Sequence, residues 1–166
     1  MPLPRNDPES VCLGSPKAEE MRQFAKMKVY SHVDRSQAMM DETGKFVKVK
    51  WVRINKGTKA NPKIRCRLVA QELGFGTKDD ELFAGTPSMT AVKMILAKMA
   101  SSHDAGVELL VLDVKCAFLY GKMRRTVYIE PPTQDPRSQE YGVVGKLEKA
   151  MYGTRDAPLI WQGKVR

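Results

Sequence analysis

A chain of 166 residues, 42% hydrophobic and 28% charged, carries enough apolar material for one ordinary core. Its apolar runs fall short of the roughly 18 residues that a membrane span needs, and MPLPRNDPES offers prolines and charges where a secretory signal needs an apolar stretch, so the chain reads as intracellular with no membrane partner. The formal charge of +9 has one source: Lys45, Lys48, Lys50, Arg53, Lys56, Lys59, Lys63, Arg65 and Arg67 follow one another with no acid between them, and the other 19 bases balance the 19 acids.

Residues 1–16, with Pro2, Pro4, Pro8 and Pro16 among polar neighbours, have no periodicity and read as a flexible leader. From Lys17 to about Val29, Ala18, Met21, Phe24 and Ala25 recur at three- and four-residue steps, which predicts an amphipathic helix. Lys45 to Ile54 predicts a strand, because Val47, Val49 and Trp51 alternate with Lys48 and Lys50. Lys63 to Val69 alternates likewise, and NKGTKANP between them supplies turn residues. The expectation is a hairpin over 45–69 with one basic face.

Thr86 and Pro87 predict the cap and first residue of a helix over 87–105, whose Val92, Ile95, Leu96 and Met99 form one stripe and which Gly106 ends. VELLVLDV, Val107 to Val114, predicts a strand buried on both faces with Asp113 near its end. Short strands around Val127 to Glu130 and Val143 to Leu147 flank the polar loop TQDPRSQE, and a last helix starts near Pro158.

The three cysteines, Cys12, Cys66 and Cys116, are widely spaced, with no Cys-x-x-Cys and no His pair nearby, which supports neither disulfides nor zinc. With only His32 and His103 as imidazoles, and neither Gly-x-Ser-x-Gly nor a Gly-x-x-x-x-Gly-Lys loop, serine hydrolases and P-loop NTPases are unsupported. A carboxylate in an apolar strand costs desolvation free energy unless a partner or metal offsets it, which singles out Asp113. On local sequence, a metal ligand and a strand-end aspartate that caps the next turn or meets Lys115 are equally good readings.

DVKCAFLYG (113–121) resembles the copia-type reverse transcriptase signature Asp-Val-Lys-Thr-Ala-Phe-Leu-Asn-Gly, and YIEPP resembles the Tyr-Met-Glu-Gln-Pro that follows it. KLEKAMYGTRDAPLIW is similar to that family's Leu-Lys-Lys-Ser-Leu-Tyr-Gly-Leu-Lys-Gln-Ala-Pro-Arg-Ala-Trp, and upstream KWVRINKG and RCRLVAQE resemble its Trp-Val and Arg-Leu-Val-Ala segments. These matches, in order across the chain from about Lys17 to Trp161, carry the resemblance.

The resemblance implies two-metal phosphoryl transfer, in which carboxylates hold Mg²⁺ ions that activate the primer hydroxyl and neutralise phosphate charge. It makes Asp113 the catalytic aspartate and a metal ligand. It places Val114, Lys115, Cys116 and Ala117 near the incoming triphosphate and Phe118 beneath the sugar, excluding a 2′-hydroxyl; core packing is the better reading for an isolated Phe. Arg65 and Arg67, whose guanidinium forks suit phosphate, join Tyr152, Gly153 and Arg155 around the nucleotide. Lys48, Lys50, Arg53, Lys56, Lys59 and Lys63 face the nucleic-acid backbone, although a solvated charged face is the better reading of any single lysine among them.

The chain departs from the family at Cys116 for Thr, Tyr120 for Asn, Thr154 for Leu, Arg155 for Lys, Asp156 for Gln and Leu159 for Arg, and Asp156 puts an acid near the expected phosphate or template path. The implied fold is α+β, a partial right-hand polymerase: a fingers-like region over 17–106 with the basic hairpin, and over 107–166 an incomplete palm sheet with packed helices, exposing apolar edges. The family's Tyr-x-Asp-Asp hairpin is not among these residues, and no acidic pair here replaces it, so the polypeptide by itself is expected not to polymerise DNA. Implied partners are an RNA template, a DNA primer, deoxynucleoside triphosphates and the rest of a retroelement polyprotein, in a cytoplasmic particle or the nucleus. The competing readings are a non-catalytic, sequence-independent nucleic-acid-binding protein and a retroelement relic.

Overall fold

A computed structural model of the chain describes residues 15–72, 87–101 and 108–165. The predicted leader, Thr86 and Gly106 lie outside these residues, apart from Ser15 and Pro16. No described helix is long and apolar enough to cross a membrane.

Ser15 accepts a hydrogen bond from the Ala18 amide at 3.2 Å and Pro16 follows it, so α1 (Pro16–Met27) starts with a side-chain cap and a preset φ. It stops at Lys28, in the left-handed conformation at φ 51°, whose amide bonds back to Ala25. β1 (Tyr30–Asp34) and α2 (Arg35–Met40), elements without a periodic signal long enough to predict, come next. The alternating run predicted as one strand is two: β2 (Lys45–Val47) and β3 (Val49–Asn55) part at Lys48 and enter different sheets.

The larger sheet runs β1-β6-β5-β2, built with β5 (Val127–Ile129) and β6 (Val143–Leu147). β6 is antiparallel to β1 and β5, and β2 lies parallel to β5. The smaller sheet is the hairpin of β3 and β4 (Ile64–Ala70). One core joins them: Phe24, Val29, Leu68, Leu119, Val127, Ile129, Leu147 and Met151 are buried together, with Trp51 packed against them. Tyr30 and His32 on β1 both bond the buried Asp135 carboxylate, which fastens the predicted 133–140 loop to the sheet.

The register corrects the expected basic face. Lys50, Arg65 and Arg67 share a face with Val52, Ile54 and Val69, since Val52 opposes Arg67 and Ile54 opposes Arg65. Arg53 opposes Cys66 on the other face, the one that carries Trp51 and Leu68 into the core, because its odd position matches Val49 and Trp51.

Two expected elements differ further. α3 (Met89–Ser101) forms, with Ser88 capping the Ala91 amide, but buries none of its residues. Residues 108–114 are not a strand: Leu110, Val111 and Leu112 are 77%, 81% and 74% exposed. Their apolar run fits a strand flanked on both edges and covered on both faces, and among the described residues no strand pairs with it.

The end of β4 is tied to the rest through one carboxylate. Glu72, its side chain fully buried, accepts two hydrogen bonds from Arg125 at 2.6 and 2.5 Å, one from Lys45 at 3.2 Å and one from the Arg155 amide at 3.0 Å. Arg125 also reaches the buried Asp156 at 3.0 Å. Burial works against ionisation of Glu72, yet these donors hold its carboxyl down at about 2.

Arg125→Met leaves Glu72 buried without its main partner and should cost about 3 kcal/mol in urea unfolding; a loss under about 1 kcal/mol would show that the pair is not a structural tie. Because the folded pKa of Glu72 lies below its ordinary 4.5, its contribution is complete above that pH and drains away as pH falls towards 2. Acid unfolding of the Glu72→Gln variant should therefore be flatter across that window than that of the parent. Gly153 sits at φ +87°, where a Cβ would lie 2.0 Å from the Ala70 carbonyl oxygen. Gly153→Ala should lower stability by at least about 2 kcal/mol in the same assay; a neutral result would mean that the turn can shift freely.

Candidate functional site

α1, β4, the 113–120 segment and the turn at Tyr152 enclose a cavity of about 870 Å³. Asp113, Val114, Lys115, Cys116, Ala117, Phe118, Arg65, Arg67 and Tyr152, all singled out from sequence, line it. Arg65 and Arg67 are partly buried and come to the same side because they are two apart on β4. The Arg67 guanidinium lies over the Tyr152 ring, 4.8 Å from its centroid, and Phe118 meets the same ring edge-on at 5.5 Å.

A tight turn presents the other wall. Cys116 takes the left-handed conformation at φ 55°, a 3-10 turn follows over Ala117–Tyr120, and Leu119 within it is fully buried as the anchor. With Leu119 pointing into the core, Phe118 and the backbone of 115–117 are left along the cavity. Phe118 also packs against the buried Ala150, Ala157 and Ile160, so its ring has a packing role whatever else it does.

Asp113 is exposed, which corrects the buried-strand argument for it: no desolvation cost exists there to demand a metal. Its claim to function rests on lining the same cavity as Arg65 and Arg67. No group of three His, Cys, Asp or Glu side chains able to hold a metal occurs among the described residues. Asp113 fits at most a shared ion, one carboxylate ligand for a divalent cation that brings oxygen ligands of its own.

Other expected site residues lie elsewhere. Lys56 lines the cavity, while Lys48, Lys50, Lys59 and Lys63 are exposed outside it and Arg53 is on the opposite face of the hairpin. Gly153 and Arg155 are also outside the lining; Gly153 lets the backbone approach Ala70, and the Arg155 amide binds Glu72. Asp156 does not stand in a phosphate path, because its buried carboxylate is turned onto Arg125.

Sequence reasoning missed Glu20, which lines the cavity from α1 and is only 9% exposed. The signal was present: Glu20, Phe24 and Met27 follow i, i+4, i+7 spacing, so the acid falls within the apolar stripe. Burial pushes the Glu20 carboxyl up, against the lowering pull of Arg65, Arg67 and the Leu68 backbone. Tyr152 lines the cavity, and burial raises its phenol, with Arg65 and Arg67 opposing.

Comparison with known proteins follows the same residues. A family profile described as reverse transcriptase (RNA-dependent DNA polymerase) matches residues 27–166. The chain is 33% identical over 161 residues to the retrovirus-related Pol polyprotein from transposon TNT 1-94 of Nicotiana tabacum, covering 95% of this chain and 12% of that protein. It is 29% identical over 106 residues to the retrovirus-related Pol polyprotein from transposon RE1 of Arabidopsis thaliana, covering 61% of this chain and 7% of that protein. No solved structure matches. With the profile spanning the hairpin, the 113–120 segment and the Tyr152 turn alike, the chain belongs to the reverse transcriptase (RNA-dependent DNA polymerase) family.

Proposed function

We propose that the cavity receives the triphosphate of an incoming deoxynucleotide in RNA-directed DNA synthesis, as part of a transposon Pol polyprotein. One observation carries this reading: Asp113 and the Arg65–Arg67 pair, distant in sequence, line one cavity with the 114–118 segment and Tyr152. Guanidinium groups on alternate strand residues can grip phosphate oxygens, and a facing carboxylate can ligate a divalent ion, taken here to be Mg²⁺, that the phosphates also bind. When bound, such an ion neutralises phosphate charge in the transition state. The chain's own residues bind and orient: Arg65 and Arg67 take the phosphates, Tyr152 holds Arg67 in place through its ring, and Phe118 is positioned to limit the sugar.

The right-hand polymerase fold is part of the proposal, with the hairpin as fingers and the β1-β6-β5-β2 sheet as part of a palm. The exposed lysines at 48, 50, 59 and 63 suit the backbone of an RNA template or DNA primer, where they add salt-sensitive affinity without sequence preference. The exposed apolar residues of α3 and of 109–112 suit packing by other parts of a Pol polyprotein. Asp113 and the α1 acids Glu19 and Glu20 line the cavity without forming a group able to hold a metal among the described residues, which supports binding more than turnover for this polypeptide, since two-metal transfer needs clustered acidic ligands.

Titration with a deoxynucleoside triphosphate should give Mg²⁺-enhanced affinity that falls about tenfold in Arg67→Gln, the loss of one charge-assisted contact. Asp113→Asn should abolish the Mg²⁺ enhancement and leave the metal-free affinity in place. If Asp113→Asn keeps the enhancement, the site is not a metal–nucleotide site and the sequence-independent nucleic-acid-binding reading gains. Template-dependent incorporation by the unaccompanied chain would overturn the assignment of binding without turnover.

A further inference from the structure

The inner end of the cavity holds an acid that the proposed chemistry does not use. α1 is capped at Ser15 and lies against β4, and Glu20 in its second turn lines the same cavity as Arg65 and Arg67. The Leu68 backbone and the charges of Arg65 and Arg67 pull its carboxyl down, against the burial that pushes it up. Its Oε1 is nevertheless buried without a hydrogen-bond partner, and so is Nε of Arg67. An acceptor and a donor, both shielded from water, are each left short of a bond in one cavity.

Carboxylate and phosphate ask for the same things: positive charge and N–H donors. Phosphate asks for more of them, having additional acceptor oxygens in a tetrahedral array. We propose that Glu20 is a built-in competitor for phosphate, occupying the Arg65–Arg67 end of the cavity when it is empty and giving way when a polyphosphate ligand binds. The inference rests on the reading of the cavity as a phosphate site and adds to it the residue that sets the threshold for occupancy. The incomplete bonding is what makes the occupant displaceable. A carboxylate with both oxygens matched would seal the site, whereas one with Oε1 unmatched leaves Nε of Arg67 unsatisfied, to be taken by a ligand once the carboxylate moves aside. Glu20 also cancels part of the positive charge there, so a weakly charged anion gains little by displacing it while a triphosphate gains most.

Inorganic tripolyphosphate is the probe, titrated calorimetrically into the full 166-residue chain without Mg²⁺. Glu20→Gln keeps shape and removes charge, and should bind about five- to tenfold more tightly than the parent, with inorganic monophosphate gaining proportionally more. Arg67→Gln should erase the gain when added to it. If the parent binds tripolyphosphate and Glu20→Gln binds no better, the competitor role fails and the phosphate site stands. If neither binds, the phosphate site fails and the competitor role with it. Should Glu20→Gln not fold, Glu20→Asp decides: withdrawing the carboxylate by one methylene should give a smaller gain of the same sign, and an unchanged or weaker affinity overturns the proposal.

Discussion

The bond between the buried Glu72 carboxylate and Arg125 holds the site's fixed wall together. Glu72 leaves the end of β4, Arg125 precedes β5, and Lys45 begins β2, so the carboxylate joins the hairpin to the larger sheet. Its fourth partner, the Arg155 amide, belongs to the turn that carries Tyr152. The Ala70 amide donates to the Tyr152 carbonyl at 2.7 Å, and Gly153 alone permits that approach at its positive φ. Arg67 can lie over Tyr152 because both are pinned to one strand end. A buried ion pair of this kind is a poor source of net stability compared with apolar packing; its effect here is to fix which segments meet.

The two walls are built differently. The arginine and tyrosine side is locked by a sheet, a helix and the Glu72 tie. The side bearing Asp113 hangs from one buried anchor, Leu119, and the residues before it expose Leu110, Val111 and Leu112 to solvent. Phosphate recognition needs preset donors, and the first wall supplies them. A metal ligand gains its position from the ion and the phosphates as much as from the chain, which makes a less constrained carboxylate compatible with a shared ion.

Alternation made the hairpin legible, and the i, i+3, i+4 stripe made α1 legible, because both faces differ in polarity there. It misled at Lys48, where the pattern continues unbroken while the strand changes sheets; a period of two says which face a residue is on, not which neighbour it pairs with. Arg53 shows the converse, since parity alone assigns it to the Trp51 face and counting its charge with the others hid this. The run 107–114 was read from hydrophobicity, which reports a wish to be buried and carries no information about whether a partner strand is at hand. Asp156 and Glu72 were opaque for a third reason: their partner Arg125 lies 31 and 53 residues away, and no local pattern encodes such a pair. The grouping of Asp113 with Arg65, Arg67 and Tyr152 came from order and spacing shared with the copia-type family, and physical reading of any one segment does not produce it.

Nine bases in 23 residues suggested a single cationic surface, but the fold divides them by environment, and the division changes what the charge can do. Exposed lysines on the hairpin would meet phosphate in high dielectric, where each contributes weakly and salt screens it. Arg65 and Arg67 are partly buried and face an acid on α1. There a charge acts over short range with less screening, and the proposed occupancy would be an exchange of one anion for another instead of a simple attraction. Net charge alone therefore speaks for phosphate of any kind; in the proposed reading, the placement of Glu20 and Tyr152 around two arginines is what would distinguish a backbone that slides past from a triphosphate that is held.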